Sequence, residues 1–480
     1  METTQLVIIV VYFLIIFGIG MYAARFIKDN TDFLLAGRRL GLVLATAALC
    51  ATHFGGGFVM GTGEWGFDYG MTGISYAIGV AVSLIILGLV SAKKMRRLSM
   101  FTVPDYLELR YQSKVVRLLG ALLSLVAIIG IIGAQVWASQ GALAIIGIDP
   151  TYAAVIATLL FIIYTVASGL WGVTMTDAIQ LLIIFVGVPI AGILGIQEAG
   201  GFEGVREGIA GLELAVETDA FFDPMGAGIG LVLGATVPTI LYTLIGQDFY
   251  QRLFAAKDEK TSFNAAILAG ILLIIFAIFP TLAGMASRGL FGDQIAAAEA
   301  VPHLVTEVLP LGLGAIIVAA IIGAIMSTAD SLLIAGTSHI TNDIYVKMIN
   351  PEAENDSRKL LIISRVCTLI IGLFALLMAL TFEAIIDLLL YSYTLYAAGV
   401  FIPVILGLYW RRGTAAGAIV GIIGGSAIGV LADAGVIDLS GVAVLAEFPP
   451  IIVGAIISLV LYVVVSLITK PPEHLPEGVV

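Results

Sequence analysis

Oxygen-bearing side chains stand at helical spacing inside an apolar stretch of this sequence, GAIMSTADSLLIAG at residues 323–336. Ala324, Ser327 and Thr328 are three and four positions apart, which places them on one face of an α-helix. Asp330 and Ser331 follow directly. Carbonyl and hydroxyl oxygens bind hard cations, and a nearby carboxylate offsets the charge of the ion. The pattern predicts a sodium site; the alternative is hydroxyls bonded to their own helix and small residues that serve helix packing.

A run of three glycines is the second unusual feature. The stretch CATHFGGGFVMGTG at residues 50–63 contains Gly55, Gly56 and Gly57, shortly after His53. Glycine costs about 1 kcal/mol relative to alanine in a helix interior, so three together favour a break in the helix. A break inside a membrane frees backbone carbonyls and is tolerated where they line a cavity. We therefore expect two carbonyls of the 51–54 turn to complete a five-oxygen site with Ala324, Ser327 and Thr328.

Acidic residues inside apolar segments point to a second charged site. Asp177 follows WGVTMT at the start of an apolar segment, and Asp330 lies inside another. Carboxylates within a membrane are costly and usually functional. We predict that Asp177, Asp330 and Ser331 form a second sodium site one turn deeper than the first; the alternative for Asp177 is an interfacial helix cap.

Candidate solute contacts surround the glycine run. A neutral His53 imidazole can hydrogen-bond a solute carboxylate or hydroxyl, and a protonated one can supply charge or couple a proton. The alternative is a packed histidine that supports the helix break. The full set that we predict to contact the solute, with ordinary helix packing as the alternative for the last three, is His53, Gly55, Gly56, Gly57, Trp137, Tyr242 and Gln247.

The composition requires a membrane. The chain has 480 residues, of which 60% are hydrophobic and 12% charged, whereas a soluble protein is about 25% charged. One helical span needs about 20 apolar residues. On that basis we predict an all-α polytopic membrane protein with thirteen transmembrane helices, at 5–24, 41–61, 72–92, 118–147, 151–169, 178–197, 226–250, 264–286, 312–338, 360–381, 384–408, 414–432 and 449–469.

The charges predict the orientation. With the N-terminus outside and the C-terminus cytoplasmic, 21 of the 23 basic residues fall in inward-facing stretches, Arg252 to Lys260 among them. Such a bias is typical of a multi-pass protein of the plasma membrane. The net charge of −11 gives no reason to expect a nucleic-acid partner. GTGEWG at 61–66 does not match a dinucleotide fingerprint. We therefore expect no enzyme activity and no organic cofactor.

Two glycine-marked segments suggest an internal repeat. The seventh segment carries Gly234, Pro238 and Gly246, and it lies five segments after the one with the glycine run. An odd offset reverses the orientation in the membrane, as an inverted repeat requires. We predict one domain over residues 1–480, with a first repeat at about 41–197 and a second at about 226–408. One helix precedes this five-plus-five arrangement and two follow it.

From about residue 5 to residue 470 the chain resembles the sodium:solute symporter family. The resemblance is carried by ATHFGGGFVMGTGEWG, TMTDAIQLLIIFVG, GQDFYQRLFAAKDEKTSF and GAIMSTADSLLIAGTSHITNDIY. It implies the inverted-repeat fold of the leucine-transporter type. It also implies that the coupling sodium is held by Ala51, Phe54, Ala324, Ser327 and Thr328, and that a second sodium is held in some members by Asp177 and Ser331, with Asp330.

The solute is not specified by this resemblance. Choline transporters of the family have tryptophans where this chain has His53 and Gly246, and Trp137 alone of that aromatic set is retained. Sodium/proline symporters have an aspartate at position 53 and aromatic residues near Ile240 and Leu244. We expect a sodium-coupled symporter that imports a small organic solute, such as proline or a related metabolite, across the lipid bilayer. The alternatives are a transporter-like solute sensor and a proton-coupled symporter.

Overall fold

The computed structural model describes residues 3–144, 147–380, 385–437 and 448–472, together with 475, 478 and 479. In this part of the chain every regular element is a helix, and the one extended contact is an isolated backbone bridge. The first ten α-helices are α1 Thr3–Ala24, α2 Asn30–Leu35, α3 Leu42–His53, α4 Thr62–Tyr69, α5 Ile74–Leu87, α6 Lys93–Arg97, α7 Val103–Tyr111, α8 Lys114–Ala144, α9 Pro150–Glu198 and α10 Gly201–Ile209.

The second half of the chain continues in the same way. Its α-helices are α11 Ile229–Thr243, α12 Gln247–Ala255, α13 Glu259–Phe276, α14 Ile278–Phe291, α15 Ala300–Val308, α16 Leu311–Ser338, α17 Ser357–Ala379, α18 Ile385–Gly407, α19 Ala415–Asp433 and α20 Pro450–Ile468. Three π-helical stretches join them, at Gly56–Gly61, Gly88–Ala92 and His339–Ile349.

The helices are long and apolar enough for a polytopic membrane protein, which confirms the predicted class. Among the described residues ten helices pass this test, or eleven when the bent pair α11 and α12 counts as a span. Two of the ten, at residues 56–97 and 151–198, are 42 and 48 residues long, about twice the length of one span. Gly169 interrupts the second with φ 51° and ψ −161°. Residues 145–146 and 381–384, at the ends of predicted segments, lie outside the described residues.

Two helices are broken in mid-course, at the glycines that the sequence marks. The α3 helix ends at His53, Phe54 follows as its cap, and Gly55 has a non-helical ψ of −142° before the π-helix Gly56–Gly61. The second break lies between α11 and α12, which are bent by 44° around the extended Gly246. The exchange of helical for extended backbone at these points leaves peptide groups free for other partners.

The α16 helix runs through the centre of the molecule. Every residue from 317 to 338 is buried, so this part of the helix has no face toward lipid, unlike an ordinary amphipathic helix. It packs against α1, α3, α8, α9 and α17. Its buried position brings the polar run at residues 327–331 into contact with several other helices.

One short backbone bridge links the two broken helices. The amide of Leu40 donates to the carbonyl of Ala255 over 3.0 Å, and the carbonyl of Leu40 accepts from the amide of Lys257 over 2.9 Å. Leu40 lies just before α3, and Ala255 is the last residue of α12. The bridge therefore joins the entrance of one broken helix to the exit of the other.

Candidate functional site

The oxygens predicted to hold sodium meet where α3 breaks beside α16. The Thr328 hydroxyl donates to the carbonyl of Ala51 over 3.1 Å. The neighbouring Ser327 hydroxyl donates to the Asp177 carboxylate. Phe54 caps α3 three residues after Ala51, and Ala324 lies one turn before Ser327 on α16. The structure thus brings Thr328 to Ala51 and Asp177 to Ser327, and the sodium site itself stays a prediction.

The donor set fits a monovalent hard cation. One oxygen of Asp177, Oδ2, is buried and has no hydrogen-bond partner in the described part of the chain. A buried carboxylate oxygen without a partner is costly, and a cation would satisfy it. Backbone carbonyl, hydroxyl and carboxylate oxygens are also the ligand types that hard cations prefer. Ala51, Ser327, Thr328 and Asp177 therefore offer a charged, oxygen-rich environment for sodium.

The second predicted group contains a cation of the protein's own. Asp330 accepts a hydrogen bond of 2.7 Å from Thr165. Ser331 accepts one from Arg252, a residue that is fully buried. The Arg252 guanidinium interacts electrostatically with Asp177, Asp248 and Asp330. Our sequence interpretation placed Arg252 among the basic residues of an inward-facing loop, and this was wrong: α12 carries it into the protein, where it meets buried carboxylates.

A small cavity adjoins the sodium residues. Its volume is about 20 Å³, room for about one water molecule, so an organic solute fits only after the walls separate. Of the residues predicted for the solute or sodium, His53, Gly57, Tyr242 and Thr328 line it. The remaining lining residues, which sequence reasoning missed, are Thr52, Tyr76, Ile131, Gln135, Asp248, Phe249, Leu332, Leu389 and Tyr393.

His53 both lines the cavity and supports the break. Its Nε2 lies 3.0 Å from the Thr243 hydroxyl, and that hydroxyl lies 2.8 Å from the Thr239 carbonyl. A hydroxyl has one hydrogen to donate. Because Thr239 takes it, Thr243 accepts from His53, which assigns the proton to Nε2. The ring also lies 4.3 Å from the ring of Phe249. His53 is therefore a packed, hydrogen-bonded residue that also faces the cavity, and its contact with the solute stays a prediction.

Close contacts account for the three glycines. The Gly56 amide, freed by the break, donates to Gln135 over 2.8 Å. A β-carbon on Gly55 would collide with the Thr328 side chain and lie 2.8 Å from Gln135 Oε1. On Gly56 it would come within 2.6 Å of the Ala138 β-carbon, and on Gly57 within 2.5 Å of the Tyr76 hydroxyl. The backbone therefore packs too tightly for any side chain here.

Asp248 and two tyrosines form the opposite wall. The Tyr242 hydroxyl donates to Asp248 over 3.1 Å, and the Tyr242 ring stacks on that of Tyr393 with centroids 4.3 Å apart. Asp248 lies at the start of α12, and Tyr393 lies on α18. The second helix break thus supplies a carboxylate and aromatic surface to the cavity, as the first supplies amides and a histidine.

Gly55 and Gly56 are not among the described residues that line the cavity, and two more predicted solute residues lie elsewhere. Gln247 accepts from the amide of Val103 over 2.8 Å and donates to the carbonyl of Phe101 over 2.9 Å, so it ties α12 to the segment before α7. Trp137 is half-buried and packs against the hydrophobic core. Neither is among the described residues that line the cavity.

Comparison with known proteins identifies the relatives of this chain. The family model described as "Sodium:solute symporter family" matches residues 33–425. The human sodium/myo-inositol cotransporter 2 is 26% identical over 90% of this chain and 70% of its own length. The high-affinity choline transporter 1 of Caenorhabditis elegans is 27% identical over 80% of this chain and 70% of its own. The sodium/glucose cotransporter of Vibrio parahaemolyticus is 25% identical, over 87% and 83%.

Solved structures give the same answer for the fold. A substrate-bound, outward-open Na⁺-coupled sialic acid symporter superposes with a TM-score of 0.82 at 21% identity, over 98% of this chain and 99% of its own. A nucleobase-cation-symport-1 family transporter in a closed conformation superposes with 0.60 at 14% identity, over 92% and 95%. The family predicted by resemblance is therefore confirmed. This chain belongs to the sodium:solute symporter family, and it is a sodium-coupled membrane transporter rather than an enzyme.

Proposed function

We propose that this protein imports a small organic solute across the plasma membrane with the sodium gradient as its energy source. The observation that carries the proposal is the meeting of Ala51, Thr328, Ser327 and Asp177 beside a cavity. Sodium would be held by the Ala51 and Phe54 carbonyls, Ala324, and the hydroxyls of Ser327 and Thr328. The entering sodium ion would place a positive charge next to Asp177, and oxygens from two helices would ligate it.

Thr328 supports coupling between ion and solute. Its hydroxyl lies in the proposed sodium site, and its side chain also lines the cavity. Any change in the position of Thr328 therefore changes both sites. Across 100 mV, the inward movement of one positive charge releases about 2.3 kcal/mol, enough for roughly fifty-fold accumulation of the solute.

The group around Asp330 is proposed as a second charged site. Asp177, Asp330 and Ser331 remain candidate ligands of a second sodium. In the structure, however, Arg252 donates to Ser331 and interacts with both carboxylates. A second sodium there would need the guanidinium to move, since two cations at one site repel each other. We therefore favour one sodium per cycle while Arg252 stays in place.

We also propose the finer topology. The 48-residue run at 151–198 changes direction at Gly169, and the 42-residue run at 56–97 joins one half of a broken helix to the next span. Counting these divisions favours thirteen spans. The two breaks, at Gly55 and Gly246, lie five spans apart, which supports inverted repeats at about 41–197 and 226–408 in one domain over residues 1–480. The basic residues place the N-terminus outside and the C-terminus in the cytoplasm.

Uptake by reconstituted protein tests the proposal. Proteoliposomes would be given labelled proline, choline, betaine, acetate, pantothenate, glucose and myo-inositol, under an inward sodium gradient or a proton gradient. The Ser327→Ala/Thr328→Ala protein would be compared with Thr337→Val, a buried hydroxyl on the same helix that bonds Thr368. We expect sodium-driven accumulation that only the double variant loses. Binding without accumulation would indicate a sensor, and proton-driven uptake unaffected by the double variant would contradict sodium coupling.

A further inference from the structure

Asp248 is a buried carboxylate in the cavity wall. It is 3% exposed and accepts one hydrogen bond from Tyr242 at 3.1 Å. It is also the second residue of α12, a nine-residue helix that begins at Gln247. The free amides at a helix N-terminus stabilise a negative charge. Asp248 therefore presents a carboxylate to whatever occupies the cavity.

The buried charges around the site do not balance. Among the described residues, Asp177, Asp248 and Asp330 are buried carboxylates around the buried Arg252, which donates to the Asp248 backbone carbonyl and to Ser331. The proposed sodium next to Asp177 supplies a second positive charge. One carboxylate then remains without a counter-ion. Buried charges without partners are strongly unfavourable, and Asp248 is the carboxylate that lines the cavity.

Aromatic side chains line the same space. Tyr76, Tyr242, Phe249 and Tyr393 line the cavity. The Tyr242 and Tyr393 rings are stacked at 19°, and the Phe249 ring centroid lies 6.2 Å from that of Tyr242. Aromatic rings attract organic cations through their negative faces. A sugar or inositol would also stack on rings and bond a carboxylate, but it would leave the charge at Asp248 unbalanced.

We propose that the solute is a small organic cation without a carboxylate, an amine or quaternary ammonium, whose positive nitrogen lies beside Asp248. This inference rests on the proposed function, because it counts one sodium in the first site. It sets three positive charges, those of sodium, Arg252 and the solute, against three buried carboxylates, with sodium beside Asp177 and the solute beside Asp248. The aromatic cage is built from tyrosines and Phe249, in place of the tryptophans found in choline transporters.

The central comparison of the test is between two solutes that differ in charge alone, choline and its neutral carbon isostere. Purified wild-type protein in sodium buffer would be titrated with choline, with its neutral carbon isostere, in which carbon replaces the nitrogen, and with ethanolamine, tetramethylammonium, glucose and myo-inositol. The readout is the shift in melting temperature, repeated in potassium buffer. We expect sodium-dependent stabilisation by a cation, and binding about tenfold weaker or worse for the neutral isostere.

Variants locate the effect at Asp248. Asp248→Asn should weaken cation binding about tenfold and leave half-saturation by sodium unchanged, whereas Asp258→Asn, at an exposed helix cap, should change neither. Should Asp248→Asn fail to fold, Tyr393→Leu serves in its place, with the same expected loss. A panel in which neutral compounds bind best, or none binds, overturns the inference. Sodium-driven uptake of a neutral solute would overturn the inference and uphold the proposed function. Absence of sodium binding to the wild-type protein would contradict the proposed function itself.

Discussion

The Thr328 hydroxyl lies 3.1 Å from the carbonyl oxygen of Ala51 and joins the buried α16 helix to the last turn of α3. This contact crosses 277 residues of sequence. It brings a side-chain oxygen and a backbone oxygen to one point, next to Ser327 and to the Asp177 oxygen that has no hydrogen-bond partner among the described residues. Backbone carbonyl and side-chain hydroxyl oxygens are both ligand types that hard cations prefer, and here one of each lies at the same point.

Removal of the Thr328 hydroxyl should weaken sodium binding. We expect Thr328→Ala to raise the sodium concentration for half-maximal thermal stabilisation by about tenfold or more, and Thr328→Ser, which keeps the oxygen, to remain close to wild type. Thr337→Val on the same helix is the matched control. Equal sodium responses for Thr328→Ala and wild type would remove this residue from the site.

Addition of a methyl group at Gly55 should disturb the same place. Its β-carbon would collide with Thr328 and Gln135, so Gly55→Ala should lower the free energy of unfolding by about 1–3 kcal/mol. Gly18→Ala is the control, since a β-carbon there meets nothing within 4 Å. It should be neutral or slightly stabilising. Denaturation in detergent measures both, and equal stability of the two variants would refute the close packing.

Loss of Arg252 should leave buried carboxylates without their counter-ion. We expect Arg252→Gln to destabilise the protein by about 3–5 kcal/mol. Adding Asp330→Asn should recover part of that loss of stability, because the effects of substitutions at neighbouring charged residues are not additive. The exposed Arg97 pairs with Glu259, and Arg97→Gln should change stability by about 1 kcal/mol or less. Additive effects of the two buried substitutions would show that Arg252 and Asp330 do not interact.

Asp343 holds a polar network at one end of α16. It accepts from Thr102 and Arg117 and lies 2.8 Å from His339 Nδ1. Asp343→Asn keeps the shape but removes the charge and one of the two acceptor oxygens, and we expect a loss of stability of about 1–3 kcal/mol. Glu354→Gln, in an exposed pair with Lys347, should have little effect. Melting temperatures at equal sodium concentration check this prediction, which fails if the two variants melt together.

Truncation of His53 should affect the solute more than the ion. His53 lines the cavity and donates to Thr243, so His53→Ala should raise the KM for solute about tenfold. Half-saturation by sodium should change much less. Uptake at varied solute and sodium concentrations separates the two constants. An unchanged KM would restrict His53 to support of the helix break.

The helix breaks and the approach of Thr328 to Ala51 could be predicted because their signals are local. A glycine run marks the first break and Gly246 the second, and the spacing of Ser327 and Thr328 defines a helix face. Asp248 could not be told from Gln247 in the same way. The two residues are adjacent, and because an α-helix rotates by about 100° per residue, Asp248 faces the cavity and Gln247 faces residues 101–103. Tyr393 and Gln135 reach the cavity only through contacts between helices distant in sequence.

The burial of Arg252 was hidden for a related reason. A basic residue that follows an apolar segment normally marks the membrane surface. Here α12 continues inward after the 44° bend, so its charge is compensated by buried carboxylates from other helices. Such compensation depends on tertiary contacts, and no property of the segment itself records it.

The bridge at Leu40 has a mechanical meaning for transport. Its two hydrogen bonds are between backbones, so among substitutions only a proline at position 40 or 257 removes a donor. They connect α3, which carries Ala51 and His53, to α12, which carries Asp248 and Arg252. We expect a tilt of either helix to be transmitted to the other through this bridge, so that the Ala51 carbonyl of the proposed sodium site and the Asp248 carboxylate in the cavity wall would move together.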